Sequence, residues 1–237
     1  MSPSTTSHAL PAAVLWDMDG TLVDTEPYWI AAETELVTAH GGSWTHEDGL
    51  ALVGNPLLVS GELLVQRSGI DMTPGEVVDA LLERMVARVR EQVPFRAGAG
   101  ELLAACVEAG VPNALVTMSW TVLADVLVES LPAGTFDAVV TGDQVTHGKP
   151  HPEPYLTAAA RLSVDPSCCV AIEDSPPGVA SAEAAGCRVL AMPLHVPIPA
   201  KVGRSRLASF QGLDVAMLGR LSTGSVVDLV PAGPRQA

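Results

Sequence analysis

Ala12-Ala13-Val14-Leu15-Trp16-Asp17-Met18-Asp19-Gly20-Thr21-Leu22 decides the fold. Five apolar residues run directly into two aspartates and a glycine. A short apolar run without alternation fits a strand covered on both faces, as in a parallel sheet. In such sheets the carboxyl ends of the strands open onto the ligand crevice, and here that end carries two carboxylates. One of them, Asp17, can act as a nucleophile toward phosphorus. The other, Asp19, can give a proton to a leaving oxygen and take one from water. Gly20 lets the main chain bend and brings its N–H close to phosphate oxygens. Taken alone, the same stretch also fits an ordinary Asp-Gly turn.

Outward from this stretch the pattern repeats. Strands are predicted at Asn113 to Thr117, Asp137 to Thr141, Cys168 to Ile172 and Arg188 to Ala191. Helices are predicted between them, at Ala99 to Ala109, Thr121 to Leu131, Pro154 to Leu162 and Gly178 to Ala185. Strand alternating with helix predicts an α/β fold with a doubly wound parallel sheet. From Tyr28 to Pro94 the pattern is helical only, over about Glu26 to His40, Pro56 to Ser68 and Pro74 to Gln92. That predicts a helical cap, residues 28–94, inserted after the first strand of a core made of 12–27 and 95–237. Residues 1–11 and the end of the chain read as loose tails, with a short helix expected at Asp214 to Leu221.

Three more stretches carry chemistry. Glu173-Asp174-Ser175 follows an apolar run and puts two more acids at a strand end, where clustered carboxylates call for a cation. Mg²⁺ suits them, because it prefers carboxylate, water and phosphate oxygens. Lys149, framed by Gly148 and Pro150, is one of two lysines and can hold phosphate beside Asp17. Thr117-Met118-Ser119 precedes a helix and offers a hydroxyl and N–H groups to a phosphate oxygen, or an N-cap.

Composition narrows the partners. A net charge of −14 disfavours nucleic acid and anionic membrane surfaces. No apolar run is long enough to span a bilayer, and the first residues lack the pattern of a signal peptide. Cys106, Cys168, Cys169 and Cys187 match no zinc or redox spacing and read as small apolar residues in a reducing compartment. A cytoplasmic protein, monomeric by default, is expected. His40, His46 and His151 contain no i, i+4 pair and read as surface or packing residues. Arg96 reads as a salt-bridge partner.

In this order the four motifs resemble the haloacid dehalogenase-like superfamily, over about Val14 to Ala191, and the helical insertion resembles its helical-cap subgroup. The resemblance implies a phosphatase of a small phosphorylated metabolite working through a phospho-aspartate, with a phosphomutase of the β-phosphoglucomutase type as the alternative. By the same resemblance Asp17 is the nucleophile and Asp19 the general acid/base. Thr117 and Lys149 are catalytic phosphate holders, with Gly20 and Met118 also at the phosphate. Asp17, Asp19, Glu173 and Asp174 are the Mg²⁺ ligands, with Ser175 orienting Asp174. Two departures weigh against the mutase: Trp29 stands where mutase-like members have a histidine, and Leu57 where they have a cap arginine. Trp29, Leu57 and Leu58 would then give the cap an apolar face. A halide-releasing enzyme would lack an aspartate at Asp19, and a phospho-acceptor signalling module would be about half as long and need no cap.

Overall fold

The computed structural model describes residues 10–230, so parts of both expected tails lie outside the described residues. Six parallel strands form one sheet in the order β3-β2-β1-β4-β5-β6. They are β1 (Ala13–Trp16), β2 (Asn113–Val116), β3 (Ala138–Val140), β4 (Cys169–Glu173), β5 (Arg188–Ala191) and β6 (Ser205–Arg206). The chain moves outward from β1 to β3, then returns to the other side of β1. The order therefore reverses between β1 and β4, and ligands bind at such a switch point. Trp16 is in register with both Leu115 and Ile172, so Asp17, Thr117 and Glu173 emerge at the same edge.

Both faces of β1 are buried, which is why its sequence is apolar without alternation. Val14 and Trp16 pack toward α5 (Ala99–Glu108), α6 (Thr121–Glu129) and α9 (Val215–Ser222). Ala13 and Leu15 pack toward α7 (Glu153–Leu162) and α8 (Pro176–Ala184). The one polar residue at the start of β2 is satisfied: Trp16 Nε1 donates to Asn113 Oδ1 at 2.8 Å, as a buried polar group requires.

Between β1 and α5 lie α1 (Glu26–Ala39), α2 (His46–Leu50), α3 (Leu57–Ser68) and α4 (Pro74–Glu91). Leu36, Leu64, Val77, Leu81 and Met85 form their shared interior. α4 starts sharply because Thr73 and Glu76 form a reciprocal capping box ahead of it.

Several expectations needed correction. α2 was not foreseen; its five residues carry no apolar stripe, and its signal is a second capping box, Thr45 with Asp48. β6 was not foreseen either, being two residues long and polar. Cys168 lies in a 3₁₀ turn (Pro166–Cys168) and is exposed, so it is not a core residue, whereas the other three cysteines are buried and all four are free thiols. Among the described residues Arg96 makes no carboxylate pair. Its guanidinium donates to the carbonyls of Gly20 at 2.6 Å and Met192 at 2.9 Å and lies over the Phe210 ring. It staples the β1 loop to the end of β5. Among the described residues no helix is long and apolar enough to cross a membrane.

Candidate active site

Three loops at the carboxyl edge of β1, β2 and β4 bring the expected residues together, and the Lys149 loop reaches in from beneath. Lys149 is fully enclosed. Its Nζ donates to Asp17 Oδ1 at 2.6 Å, Glu173 Oε1 at 2.6 Å and the Val116 carbonyl at 2.9 Å. Burial alone would lower the lysine's pKa, but the Asp17 and Glu173 carboxylates outweigh it and hold the ammonium charged. Tyr155 Oη also donates to Glu173 Oε1, at 2.6 Å, and Ser175 Oγ to Glu173 Oε2, at 3.3 Å. Ser175 thus orients Glu173, not Asp174 as expected from sequence.

Asp17, Glu173 and Asp174 lie within 4.8 Å of one another through their carboxylate oxygens, and all are buried. Burial, followed by the Glu173 charge, pushes Asp17 up to about 7. Burial and the charges of Asp17 and Glu173 raise Asp174 as well. Three carboxyls with one lysine leave an excess of negative charge. Moreover, Asp17 Oδ2 is buried with no hydrogen-bond partner, a state that costs free energy unless something fills it. A hard divalent cation fits this donor set. Glu173 has both oxygens engaged, which leaves Asp17 and Asp174 the freer of the three.

Gly20 is required where it stands. Its φ is +83°, and a Cβ there would collide with the Asp174 carboxylate. The glycine is what lets the β1 loop lie against the β4 loop.

Asp19 is held by four donors. Its Oδ1 accepts from Thr25 Oγ1 at 2.6 Å and Trp29 Nε1 at 3.2 Å; its Oδ2 accepts from Ser119 Oγ at 2.7 Å and Thr117 Oγ1 at 3.3 Å. Thr25 was not anticipated, and Trp29 was expected to serve as an apolar face. Trp29 lines the cavity, and its indole N–H also meets the carboxylate. Met118 turns its sulfur to the Lys149 N–H at 3.2 Å, so its side chain supports the lysine loop and the hydroxyl of this motif comes from Ser119.

The helices close over these groups. Gly54, at φ +78° and three residues before α3, packs so closely on the β4 loop that a Cβ there would come within 2.9 Å of Ser175 and Pro177. The cavity between the helices and the core, about 70 Å³, is lined on the core side by Asp17, Asp19 and Lys149 and on the helical side by Glu26, Trp29, Glu33 and Leu57. Leu58, expected on the same face, is instead half exposed and lines none of it. Away from the site, His147 stands four residues before His151, a pair that the spacing of His40, His46 and His151 does not contain. With Glu153 these two form an exposed group on the outer side of the lysine loop.

Glu33 is 4% exposed, and one of its oxygens accepts from Trp44 Nε1 at 2.8 Å. Burial pushes its pKa up to about 7. The unfolded value is about 4.3. A carboxyl with a raised folded pKa favours folding fully below the unfolded value and loses that contribution as pH rises through the folded one. Glu33→Gln keeps the acceptor for Trp44 and removes the titration. The variant is expected to be more stable than wild type at pH 8, by roughly 1–3 kcal/mol, with the difference vanishing near pH 4.5. Denaturant unfolding across that window measures it, and a pH-independent difference would contradict the assignment.

Comparison with known proteins agrees with the fold. Residues 14–192 match the family model of the haloacid dehalogenase-like hydrolases. Hexitol phosphatase B of Escherichia coli is 33% identical over 184 residues, covering 76% of this chain and 83% of that protein. Fructose-1-phosphate phosphatase YqaB of the same organism is 32% identical over 184 residues, covering 74% and 93%. The crystal structure of CbbY from Rhodobacter sphaeroides in complex with phosphate superposes with a TM-score of 0.76 at 28% identity, covering 88% of this chain and 99% of that one.

Proposed function

The chain belongs to the haloacid dehalogenase-like hydrolases, and from that membership we propose a Mg²⁺-assisted phosphatase that passes the phosphoryl group of a small sugar or polyol phosphate to Asp17 and then to water. The observation that carries this reading is the Asp17 carboxylate, with one oxygen fixed to Lys149 at 2.6 Å and the other buried and unpartnered. The names of the two Escherichia coli relatives support the substrate class.

Asp17 would attack phosphorus as the bond to the leaving oxygen breaks, and Asp19, carrying a proton, would give it to that oxygen. Asp19 would then take a proton from water as the water attacks the phospho-aspartate, which frees phosphate and restores Asp17. Thr25, Trp29 and Ser119 hold Asp19 for both transfers. Thr117, the Met118 main chain and Lys149 would receive the phosphate oxygens; Gly20, expected there too, has its N–H on the Val23 carbonyl at 2.8 Å and its own carbonyl on Arg96. Asp17, Asp174 and the main chain of Asp19 would hold Mg²⁺, with Glu173 serving mainly to anchor Lys149. When bound, the ion would offset the charge of the phosphate against the carboxylates.

Residues 28–94 serve as the cap on a core of 12–27 and 95–237. The cap helices roof the cavity that holds Asp17 and Asp19, so cap opening would admit substrate and closure would exclude water during chemistry. Four free thiols suit a reducing cytoplasm, and the acidic surface suits a soluble monomer without nucleic-acid or membrane partners. The test is phosphate release from a panel of esters with and without Mg²⁺. Metal-dependent release of inorganic phosphate is expected. An isomerised ester with no free phosphate would point to a mutase instead.

A further inference from the structure

We propose that Glu26, Glu33 and Ser60 form a subsite that reads the hydroxyl groups of an uncharged polyol leaving group and shuts out substrates bearing a second phosphate. It rests on the phosphatase reading above and assigns the half of the substrate that the phosphate site does not touch.

All three line the same cavity as Asp17 and Asp19. Glu26 and Glu33 are seven residues apart on α1 and so share a face, while Ser60 faces them from α3. Each is more than nine-tenths buried. Yet among the described residues the Glu26 carboxyl and the Ser60 hydroxyl make no hydrogen bond, and Glu33 uses one oxygen only, for Trp44. Among the described residues Asp17 Oδ2 is the sealed, unpartnered atom of the site, whereas the unpartnered oxygens of Glu26 and Ser60 keep accessible surface. Here they face a cavity, where a ligand's hydroxyls can complete them.

Charge narrows the ligand further. Lys149 is the single basic residue lining the cavity, and Asp17 and Glu173 already engage it. A second anionic group beneath the cap would meet two carboxyls and no cation. Burial, with Glu33 and Asp19 nearby, pushes Glu26 up to about 8; Glu33 reaches about 7. Both accept from hydroxyl donors, and once ionised above those values they repel a second phosphate. Trp29, Leu52, Leu57 and Leu81 supply apolar walls for the C–H faces of a polyol.

The test compares a hexitol 6-phosphate with phenyl phosphate, which has no hydroxyls to read. The ratio of their kcat/KM values is expected to fall by about tenfold or more in Glu33→Leu, and by a smaller factor in Ser60→Ala and Glu26→Gln. The two milder variants carry the comparison if Glu33→Leu folds poorly. Wild type is expected to prefer fructose 1-phosphate over fructose 1,6-bisphosphate by about 100-fold or more. A ratio unchanged in all three variants, or equal use of the bisphosphate, would overturn the proposal. Calorimetric binding of the hexitol phosphate to Asp17→Asn, with and without Glu33→Leu, reads the subsite apart from catalysis. Binding weakened by Glu33→Leu supports it even if Asp17→Asn retains turnover, a result that would sink the phospho-aspartate reading alone.

Discussion

Asp17→Asn is expected to lower phosphate release by roughly 10⁴-fold or more, while leaving the protein folded. An amide cannot attack phosphorus as a carboxylate does, and no other carboxylate stands ready to replace it. Glu173 is bonded to Lys149, Tyr155 and Ser175. Asp19 is held by four donors for a proton-transfer role. The substitution is nearly isosteric, and its amide oxygen can still accept from Lys149. It also removes one negative charge from a cluster with too many. Thermal stability without metal should therefore match or exceed wild type. Mg²⁺ should bind more weakly but still bind, because Asp174 and the main chain of Asp19 remain. Turnover, melting temperature and metal titration on one preparation separate these effects. Retained turnover would remove Asp17 from the nucleophile's role, whereas a collapsed melting temperature would mean that activity loss reports unfolding.

Much of this site could be read from sequence because its parts sit at the ends of buried strands. An apolar run that stops at an acid or hydroxyl is a local signal, and Asp17, Thr117 and Glu173-Asp174 each carry it. The parallel sheet follows from the same alternation, since each strand needs a helix to return in parallel; the strand order does not, because the same alternation also fits other orders. What sequence did not reveal depends on contacts between distant elements. Thr25, Tyr155 and the indole N–H of Trp29 are ordinary helix-segment residues until the fold turns them toward Asp19 or Glu173. Glu26 and Glu33 carry no sequence signal of burial, because nothing local says that α2 and α3 will cover them. Arg96 was expected to find a carboxylate, but at a chain crossing the nearer acceptors are the carbonyls of Gly20 and Met192. α2 and β6 were missed for a different reason. Their five and two residues are too short for any periodicity to register.

Lys149→Met should have the largest effect on stability. Among the described residues Lys149 is the only cation in contact with Asp17 and Glu173, and removing one partner from a buried ion pair costs about 3–5 kcal/mol. Methionine fills the same space, so the loss reports charge rather than a cavity. Two signatures follow from that cause. First, Mg²⁺ should recover part of the lost stability, because an ion bound only by the native state stabilises it in proportion to its saturation. Second, the deficit should shrink as pH falls from 8 toward 5. Asp17 already has its folded pKa up near 7, against about 3.9 unfolded, and losing the ammonium raises it further. A carboxyl raised in the folded state favours folding at low pH and opposes it as pH rises, so acid relieves the variant more than wild type. Turnover should fall about 10²–10³-fold even where the variant is folded, because one donor to the phosphate oxygens is gone. Denaturant unfolding at pH 5 and pH 8, with and without Mg²⁺, checks every part. A deficit indifferent to both pH and metal would mean that Lys149 supports the loop by packing alone, and the electrostatic account of the site would have to be abandoned.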